Sequence, residues 1–198
     1  MFYDIIRNIP CEAIHTCIEL FGGVGISSKY IEEYFNLTEH TIIDLDPKCC
    51  QILKKQYPTR EILNIDNTIY NNKKDIDLLV IDSVFNKSVF EKVVSLIKKF
   101  NFKYLILTNT GVFNVRWNKS LASYDEYWEL LDKELNTYGL YTHKVIYGSE
   151  FGFMLITKEP AEKIVLDRYP AEKKLTDWRA YVEDIKYYLE NENKEGEN

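Results

Sequence analysis

The sequence lacks several features that would assign it to other protein classes. It has no apolar run long enough to span a bilayer and no C-x-x-C pair. It has no excess of basic side chains, because its formal net charge is −6. Its first residues show no basic segment followed by an apolar one, which predicts no signal peptide. These absences argue against a membrane protein and against a strongly basic nucleic-acid binder, so we expect a cytoplasmic location.

Cysteine and histidine are sparse, and their spacing predicts no metal site. The four cysteines include the adjacent pair Cys49 and Cys50, which cannot easily bridge each other. Reduced, mostly buried thiols are therefore expected. The three histidines are scattered without ligand spacing, at positions 15, 40 and 143.

The length of 198 residues is enough for one domain with a proper core. We expect a single domain over residues 1–170, followed by an acidic helix and tail over residues 171–198. Residues 183–198 carry six acidic side chains against two lysines, which is typical of a solvated terminus.

Short apolar runs alternate with helical patterns along the chain. Asp46 and Pro47 provide a helix N-cap and a first helical residue, and that helix should end near Tyr57 because Pro58 follows. Other helices are predicted over residues 26–36, 88–100 and 123–139, the last of them ending at Gly139. Seven strands are predicted, over residues 13–21, 41–45, 61–65, 76–82, 104–108, 141–147 and 151–158.

The order of these elements predicts an α/β fold. Five strands separated by helices must run parallel, which gives a doubly wound sheet. The last two strands are too close for a crossover helix and must form an antiparallel hairpin. The prediction is a mostly parallel, seven-stranded sheet with a C-terminal antiparallel hairpin. A ligand of such a sheet binds at the carboxyl ends of its strands.

The stretch IELFGGVGISS places three glycines directly after the first strand. Gly22, Gly23 and Gly25 allow a tight turn and let a ligand approach the backbone. The helix that follows offers free N–H groups and a partial positive charge, which suit an anionic or carboxylate-bearing ligand.

Acidic residues end the first four predicted strands. Glu19 ends the first strand, and Asp44 ends the second, where a carboxylate can accept hydrogen bonds from a ribose diol. Asp66 ends the third and can accept from an exocyclic amine, and Asp82 ends the fourth. Each acid alone is as well explained by helix capping, but the set in register favours a nucleotide cofactor.

Two nucleotide cofactors fit this pattern in principle. A dinucleotide site requires G-x-G-x-x-G, but the position of the third glycine is held by Ser28. The terminal hairpin also argues against a dinucleotide enzyme.

From residue 13 to residue 158, the chain resembles the class I S-adenosylmethionine (SAM)-dependent methyltransferases. Their first motif reads acid-x-G-x-G-x-G, and here the sequence is Glu19-Leu20-Phe21-Gly22-Gly23-Val24-Gly25. Phe21 stands where many members have the first glycine. The variant E/D-L-F-x-G-x-G resembles nucleic-acid methyltransferases in particular.

The resemblance implies roles for the residues at the strand ends. Gly23 and Gly25 would line the methionine part of SAM, and Glu19 would support the loop. Asp44 would hold the ribose hydroxyls, and Leu45 would lie against the adenine. The full set implied to bind the cofactor is Glu19, Phe21, Gly22, Gly23, Gly25, Asp44, Leu45, Asp66 and Asp82.

The end of the fourth strand is the candidate catalytic position. Methyltransferases that act on base amines often have [D/N/S]-P-P-[Y/F/W] here, whereas this chain has Asp82-Ser83-Val84-Phe85. Both prolines are missing, and so is the Pro-Cys nucleophile of cytosine-C5 enzymes. Asp82 is a candidate general base or acceptor-orienting group, and Phe85 a candidate stacking group for a flipped base. The alternative for Asp82 is an N-cap of the next helix.

The predicted loop over residues 109–122 is the candidate substrate surface. Arg116, Trp117 and Lys119 combine cations with an aromatic ring, a pattern suited to phosphate contact and base stacking. The alternative is a surface loop whose Trp117 packs under its own helix.

The sequence thus predicts a SAM-dependent methyltransferase, with nucleic acid favoured as its substrate over a protein or a small molecule. The alternative is a non-catalytic methyltransferase-like module that works with a partner subunit or as a homo-oligomer.

Overall fold

The computed structural model describes residues 2–82, 94–108, 132–146, 153–160 and 164–166. These residues form one sheet of eight strands in the order β3-β2-β1-β4-β5-β7-β6-β8. The strands are β1 (Thr16–Leu20), β2 (Glu39–Asp44), β3 (Glu61–Asn64), β4 (Asp75–Ile81), β5 (Asn101–Leu107), β6 (Tyr141–Ile146), β7 (Phe153–Thr157) and β8 (Ile164–Leu166).

The pairing of the strands confirms the predicted fold class. β1 pairs in parallel with β2 and β4, β2 with β3, and β4 with β5. β7 runs antiparallel between β5 and β6, as the predicted hairpin requires. The three-residue β8 pairs in parallel with β6. It adds an edge strand that the sequence analysis did not predict.

Three helices are described in full: α1 (Phe2–Ile6), α2 (Ile26–Tyr34) and α3 (Pro47–Gln56). The start of α3 is as predicted, because the Asp46 side chain accepts a hydrogen bond from the Lys48 N–H at 2.9 Å. Residues 94–97 and 132–137 are also helical and lie within two further predicted helices. The second of these ends at Gly139, whose φ is +68°.

The hydrophobic core lies on both faces of the sheet. One face packs against α1 and α2 through a cluster that includes Ile6, Ile31 and Ile106. The other face packs against helical residues 94–97 through a cluster that includes Leu79 and Leu105. Strands β4 and β5 are buried on both faces, as expected for the central strands of a doubly wound sheet.

Some predicted boundaries were wrong. The first strand begins at Thr16 rather than residue 13, because residues 11–13 form a short 3₁₀ turn. The second and fifth strands begin two and three residues earlier than predicted, at Glu39 and Asn101. α1 was not predicted at all. In the described ranges, no helix is both long and apolar enough to cross a membrane.

α1 and the turn after it form part of the core. The side chains of Ile5 and Ile6 are fully buried, and Ile9 is almost so. We expect Ile6→Ala to lower the free energy of unfolding by about 2–5 kcal/mol, because it leaves a cavity under α1. Urea denaturation measures the change, and Lys54→Ala on the exposed side of α3 is the control. An Ile6→Ala variant as stable as this control would show that α1 is peripheral.

Candidate active site

The candidate functional site lies at the carboxyl ends of β1 to β4. The strand order reverses its direction between β1 and β4, which is the topological switch point where ligands of such sheets bind. Because the strands are parallel, their carboxyl ends lie together, and the four predicted acids lie at or near these ends: Glu19, Asp44, Asp66 and Asp82. The structure thus brings the four acids to the same end of the strands.

The loop over residues 21–25, here called the glycine loop, joins β1 to α2. Phe21 has a φ of +63°, in the left-handed region that favours glycine. This conformation explains why a glycine would fit at this position. Phe21 is held there by two contacts. Its N–H donates to Asn67 Oδ1 at 3.2 Å, and its ring packs against the core.

Gly22 is required by a close approach to β2. Its N–H donates to the carbonyl of Ile43 at 3.1 Å. A Cβ at this position would lie 2.3 Å from Cγ2 of Ile42, so any other residue here requires the Ile42 side chain to shift. Gly25 is crowded in the same way by α3, because a Cβ there would lie 2.8 Å from Cδ2 of Leu53. The glycine loop is therefore pressed against β2 and α3.

Gly23 differs from its neighbours because it faces open space. Its φ is +54°, and no described atom lies within 4 Å of the place where a Cβ would be. Its N–H donates to Oδ2 of Asp44 at 2.8 Å, and the other oxygen of Asp44 accepts from the Asp46 N–H at 2.8 Å. A carboxylate has about four acceptor positions, so these two bonds orient Asp44 without saturating it.

Glu19 lies beneath the glycine loop and is fully buried. Its Oε2 accepts from the hydroxyl of Ser28 at 2.6 Å and lies 3.5 Å from Nε2 of His40. Within the described part of the chain, its Oε1 has no hydrogen-bond partner. Burial raises the pKa of the Glu19 carboxyl, against the opposing effects of His40 and Ser28. Ser28, which breaks the dinucleotide motif, is thus a partner of the motif acid.

His40 connects Glu19 to two charged residues nearer the surface. Its Nδ1 lies 2.7 Å from Oε1 of Glu32, and the other oxygen of Glu32 lies 2.7 Å from the guanidinium of Arg60. Burial alone would lower the pKa of His40, but its neighbours Cys17, Glu19 and Glu32 raise it to about 12. Burial also raises the pKa of the Cys17 thiol.

The pKa of Glu32 is lowered, whereas that of His40 is raised. Partial burial works against its ionisation, but hydrogen bonds and charges from His40 and Arg60 outweigh burial and lower its pKa.

The raised pKa of His40 makes stability depend on pH. Because this pKa is higher in the folded protein than its ordinary value of about 6.5, the paired imidazolium stabilises the fold fully below about pH 6.5. The contribution declines as the pH rises and is lost as the pH passes through about 12.

Asp82 connects three elements at the end of β4. Its carboxylate accepts from the hydroxyls of Ser27, at 2.7 Å, and of Thr108. Its N–H donates to the carbonyl of Leu20 at 3.0 Å. Asp82 therefore joins the first turn of α2 to the ends of β1 and β5. The alternative role as a cap of the next helix depends on residues that lie outside the described ranges.

The remaining predicted cofactor residues lie at the rim. Asp66 is exposed and accepts from the N–H and the hydroxyl of Thr68, at 2.8 and 2.7 Å. Leu45, directly after β2, is 63% exposed. Asn67, which sequence reasoning missed, is buried beside Asp66 and connects this rim to the glycine loop.

Several predictions concern residues outside the described ranges. These are Phe85 as a stacking group, the substrate residues Arg116, Trp117 and Lys119, and the tail over residues 171–198. Four contributing residues escaped the sequence analysis: Ser27, His40, Asn67 and Thr108. No motif marks them, since each acts through a partner distant in sequence. The described residues contain no cluster of acidic, histidine or cysteine side chains suited to a metal ion.

Comparison with solved structures identifies the fold. The chain resembles a TehB-like SAM-dependent methyltransferase from Corynebacterium glutamicum, with a TM-score of 0.56 at 15% identity over 80% of this chain and 87% of that one. It resembles a ribosomal protein L11 methylase from Lactobacillus delbrueckii subsp. bulgaricus, with a TM-score of 0.60 at 8% identity over 80% and 77%.

A third similar structure is the 23S rRNA methyltransferase ErmE, with a TM-score of 0.53 at 10% identity over 81% of this chain and 68% of that one. Scans against protein-family models and curated proteins find no match to the sequence. The fold is that of the class I SAM-dependent methyltransferases, as the sequence analysis predicted.

The glycine loop provides a matched pair of substitutions. We expect Gly22→Ala to lower the free energy of unfolding by about 1–3 kcal/mol or more, because the new methyl group meets Ile42. Gly23→Ala meets no described atom and should cost only the left-handed strain, about 1–2 kcal/mol. Urea denaturation of both variants compares them. A smaller loss for Gly22→Ala than for Gly23→Ala would contradict the close packing against β2.

Proposed function

We propose that this protein is a SAM-dependent methyltransferase whose cofactor binds at the carboxyl ends of β1 to β4. The observation that carries the proposal is the arrangement around Gly23. No described atom lies within 4 Å of the place where its Cβ would be, and its N–H donates to Asp44, whose carboxylate keeps acceptor positions for a diol. A nucleoside cofactor that binds at the carboxyl ends of parallel strands requires a tight glycine turn beside an oriented carboxylate.

Other residues at or after these strand ends fit the same cofactor. The exposed side chain of Leu45 offers an apolar surface for the adenine, and Asp66 offers a carboxylate for its amino group. Phe21, Gly22 and Gly25 shape the loop that would hold the methionine part, with Glu19 as support beneath it. These roles follow the family resemblance residue by residue.

The chemistry requires little from the protein beyond alignment. When bound, SAM supplies a methyl group attached to a positively charged sulfur. The lone pair of the acceptor atom forms a bond to the methyl carbon, and the carbon–sulfur bond breaks to leave a neutral thioether. The protein must hold the acceptor in line and receive its proton where it has one. Asp82 stands at the end of β4 for this role, held by Ser27 and Thr108. Phe85 is proposed to stack on the acceptor.

Nucleic acid is the proposed substrate class. The glycine-loop variant with Phe21 supports this choice. Arg116, Trp117 and Lys119 are the proposed contacts to phosphate and base. The fold alone does not select the acceptor, because the methylase named for ribosomal protein L11 has it too. We propose a cytoplasmic location for this activity, with residues 1–170 as the catalytic domain.

A second candidate is a non-catalytic module that binds SAM and supports a partner subunit or a second copy of itself. The observation that favours it is the state of Asp82. Both of its carboxylate oxygens already accept hydrogen bonds, from Ser27 and Thr108, and the prolines of the base-amine motif are missing. These two hydroxyls occupy acceptor positions that a general base would need for the proton of its substrate.

Calorimetric titration with S-adenosylhomocysteine tests the cofactor site. We expect the wild type to bind it in preference to NAD. Asp44→Ala should raise the Kd at least about tenfold, because both the diol acceptor and the Gly23 contact are lost. Asp75→Ala is the matched control, because Asp75 begins β4 and so lies at the other end of that strand from the proposed site. Wild type that binds NAD and not S-adenosylhomocysteine would overturn the proposed function.

Methyl transfer from labelled SAM onto DNA, RNA and protein extracts tests the substrate class. We expect label in a nucleic-acid fraction, and loss of that label in Asp82→Ala. Label only in the protein or small-molecule fraction would remove nucleic acid as the substrate. Tight cofactor binding with no transfer to any fraction, together with a copurifying second subunit, would favour the non-catalytic module.

A further inference from the structure

Four charged side chains form a continuous line from the surface to the glycine loop. We call this line the ion chain; its members are Arg60, Glu32, His40 and Glu19. Basic and acidic side chains alternate along it. Exposure falls along the line, from about a fifth for the side chains of Arg60 and Glu32 to none for those of His40 and Glu19. The line therefore leads from the surface to a fully buried acid beneath the glycine loop.

The members of the ion chain come from separate elements that the fold brings together. His40 on β2 is the register partner of Cys17 on β1, and Glu19 is two residues further along β1. Glu32 lies on α2, which packs over this face, and Arg60 follows α3. The groups that face the imidazole are thus Cys17 and Glu19 from β1 and Glu32 from α2.

We propose that His40 is a positioning residue of the cofactor site: anchored by Glu32, which Arg60 holds in turn, it fixes Glu19 beneath the glycine loop. This inference rests on the proposed function for the identity of the ligand. Glu19 has one neutral donor in Ser28 and one cationic neighbour in His40. Without the cation, a fully buried carboxylate is unstable as an anion and takes up a proton or shifts.

The consequence for the loop is direct. Glu19 precedes the glycine loop by two residues, and its carboxyl carbon lies 3.9 Å from the place of a Cβ on Gly22. A shift of the carboxylate therefore moves the backbone that would contact the cofactor. Glu32 completes the arrangement, because it is the partner at 2.7 Å that keeps the imidazole charged and in place.

The experiment compares His40→Gln and Glu32→Gln with His15→Gln, a control in which an exposed imidazole is removed. The full-length chain is used throughout. Nuclear magnetic resonance reports the protonation state of His40 and the exchange rate of the Gly22, Gly23 and Gly25 amides without ligand. Calorimetry reports the Kd of S-adenosylhomocysteine between about pH 6.5 and pH 9, a window that spans the ordinary titration of histidine.

In the wild type we expect His40 to remain an imidazolium across this window. His40→Gln should speed exchange of the glycine-loop amides and raise the Kd roughly tenfold or more, because removing one partner of a buried ion pair leaves the other uncompensated. Glu32→Gln should keep the fold and bring the titration of His40 into the window, so that the ligand binds more weakly as the pH rises. His15→Gln should change none of these.

The outcomes separate the two proposals. A neutral His40 at pH 8, or loop exchange and affinity in both ion-chain variants equal to wild type, overturns the positioning role. Wild type that fails to bind S-adenosylhomocysteine, with an imidazolium at His40 and faster loop exchange in His40→Gln, overturns the proposed function and leaves the positioning of the loop standing. If His40→Gln does not fold, the pH profile of Glu32→Gln decides: a flat profile overturns the role.

Discussion

The structure depends on the close contact between the glycine loop and β2. The Gly22 backbone lies against Ile42 with no room for a side chain, and its N–H is bonded to the carbonyl of Ile43. This contact fixes where α2 begins and turns the N–H of Gly23 towards Asp44. One packing constraint therefore sets both walls of the proposed cofactor site, because the loop and the end of β2 cannot move independently.

The same region tolerates an unusual concentration of charge. A buried carboxylate is costly unless it is paired and hydrogen-bonded. Glu19 is compensated by Ser28 and His40, and the charge of His40 is balanced in turn by Glu32. Asp82 accepts hydrogen bonds from two hydroxyls, those of Ser27 and Thr108. Glu19 lies within β1 and is fully buried, whereas Asp82 directly follows β4. These positions fit the proposed supporting role of Glu19 and the proposed role of Asp82 nearer the acceptor.

Much of the fold was predictable, because its signals are local. The Asp46 and Pro47 start of α3, the glycines after β1 and the apolar runs of β4 and β5 each act through neighbours in sequence. The acids at the strand ends followed from the parallel topology. The ion chain did not, because its members lie on β1, β2, α2 and the turn after α3, and no short pattern relates them. β8 and α1 were missed for a related reason: both are too short to show a period.

The cofactor side and the acceptor side of the site differ in what specifies them. The cofactor side is built from strand ends and the first turn of a helix, which the sheet fixes in position. Enzymes named for an rRNA and for a ribosomal protein share this framework, so the framework does not select the acceptor. In the proposed function, selection of the acceptor falls to the segments that follow β4 and β5. Asp82 and Thr108 directly follow these two strands, and their side chains are hydrogen-bonded to each other. Because Asp82 is also bonded to Ser27, these contacts connect the ends of β4 and β5 to the first turn of α2, which follows the glycine loop.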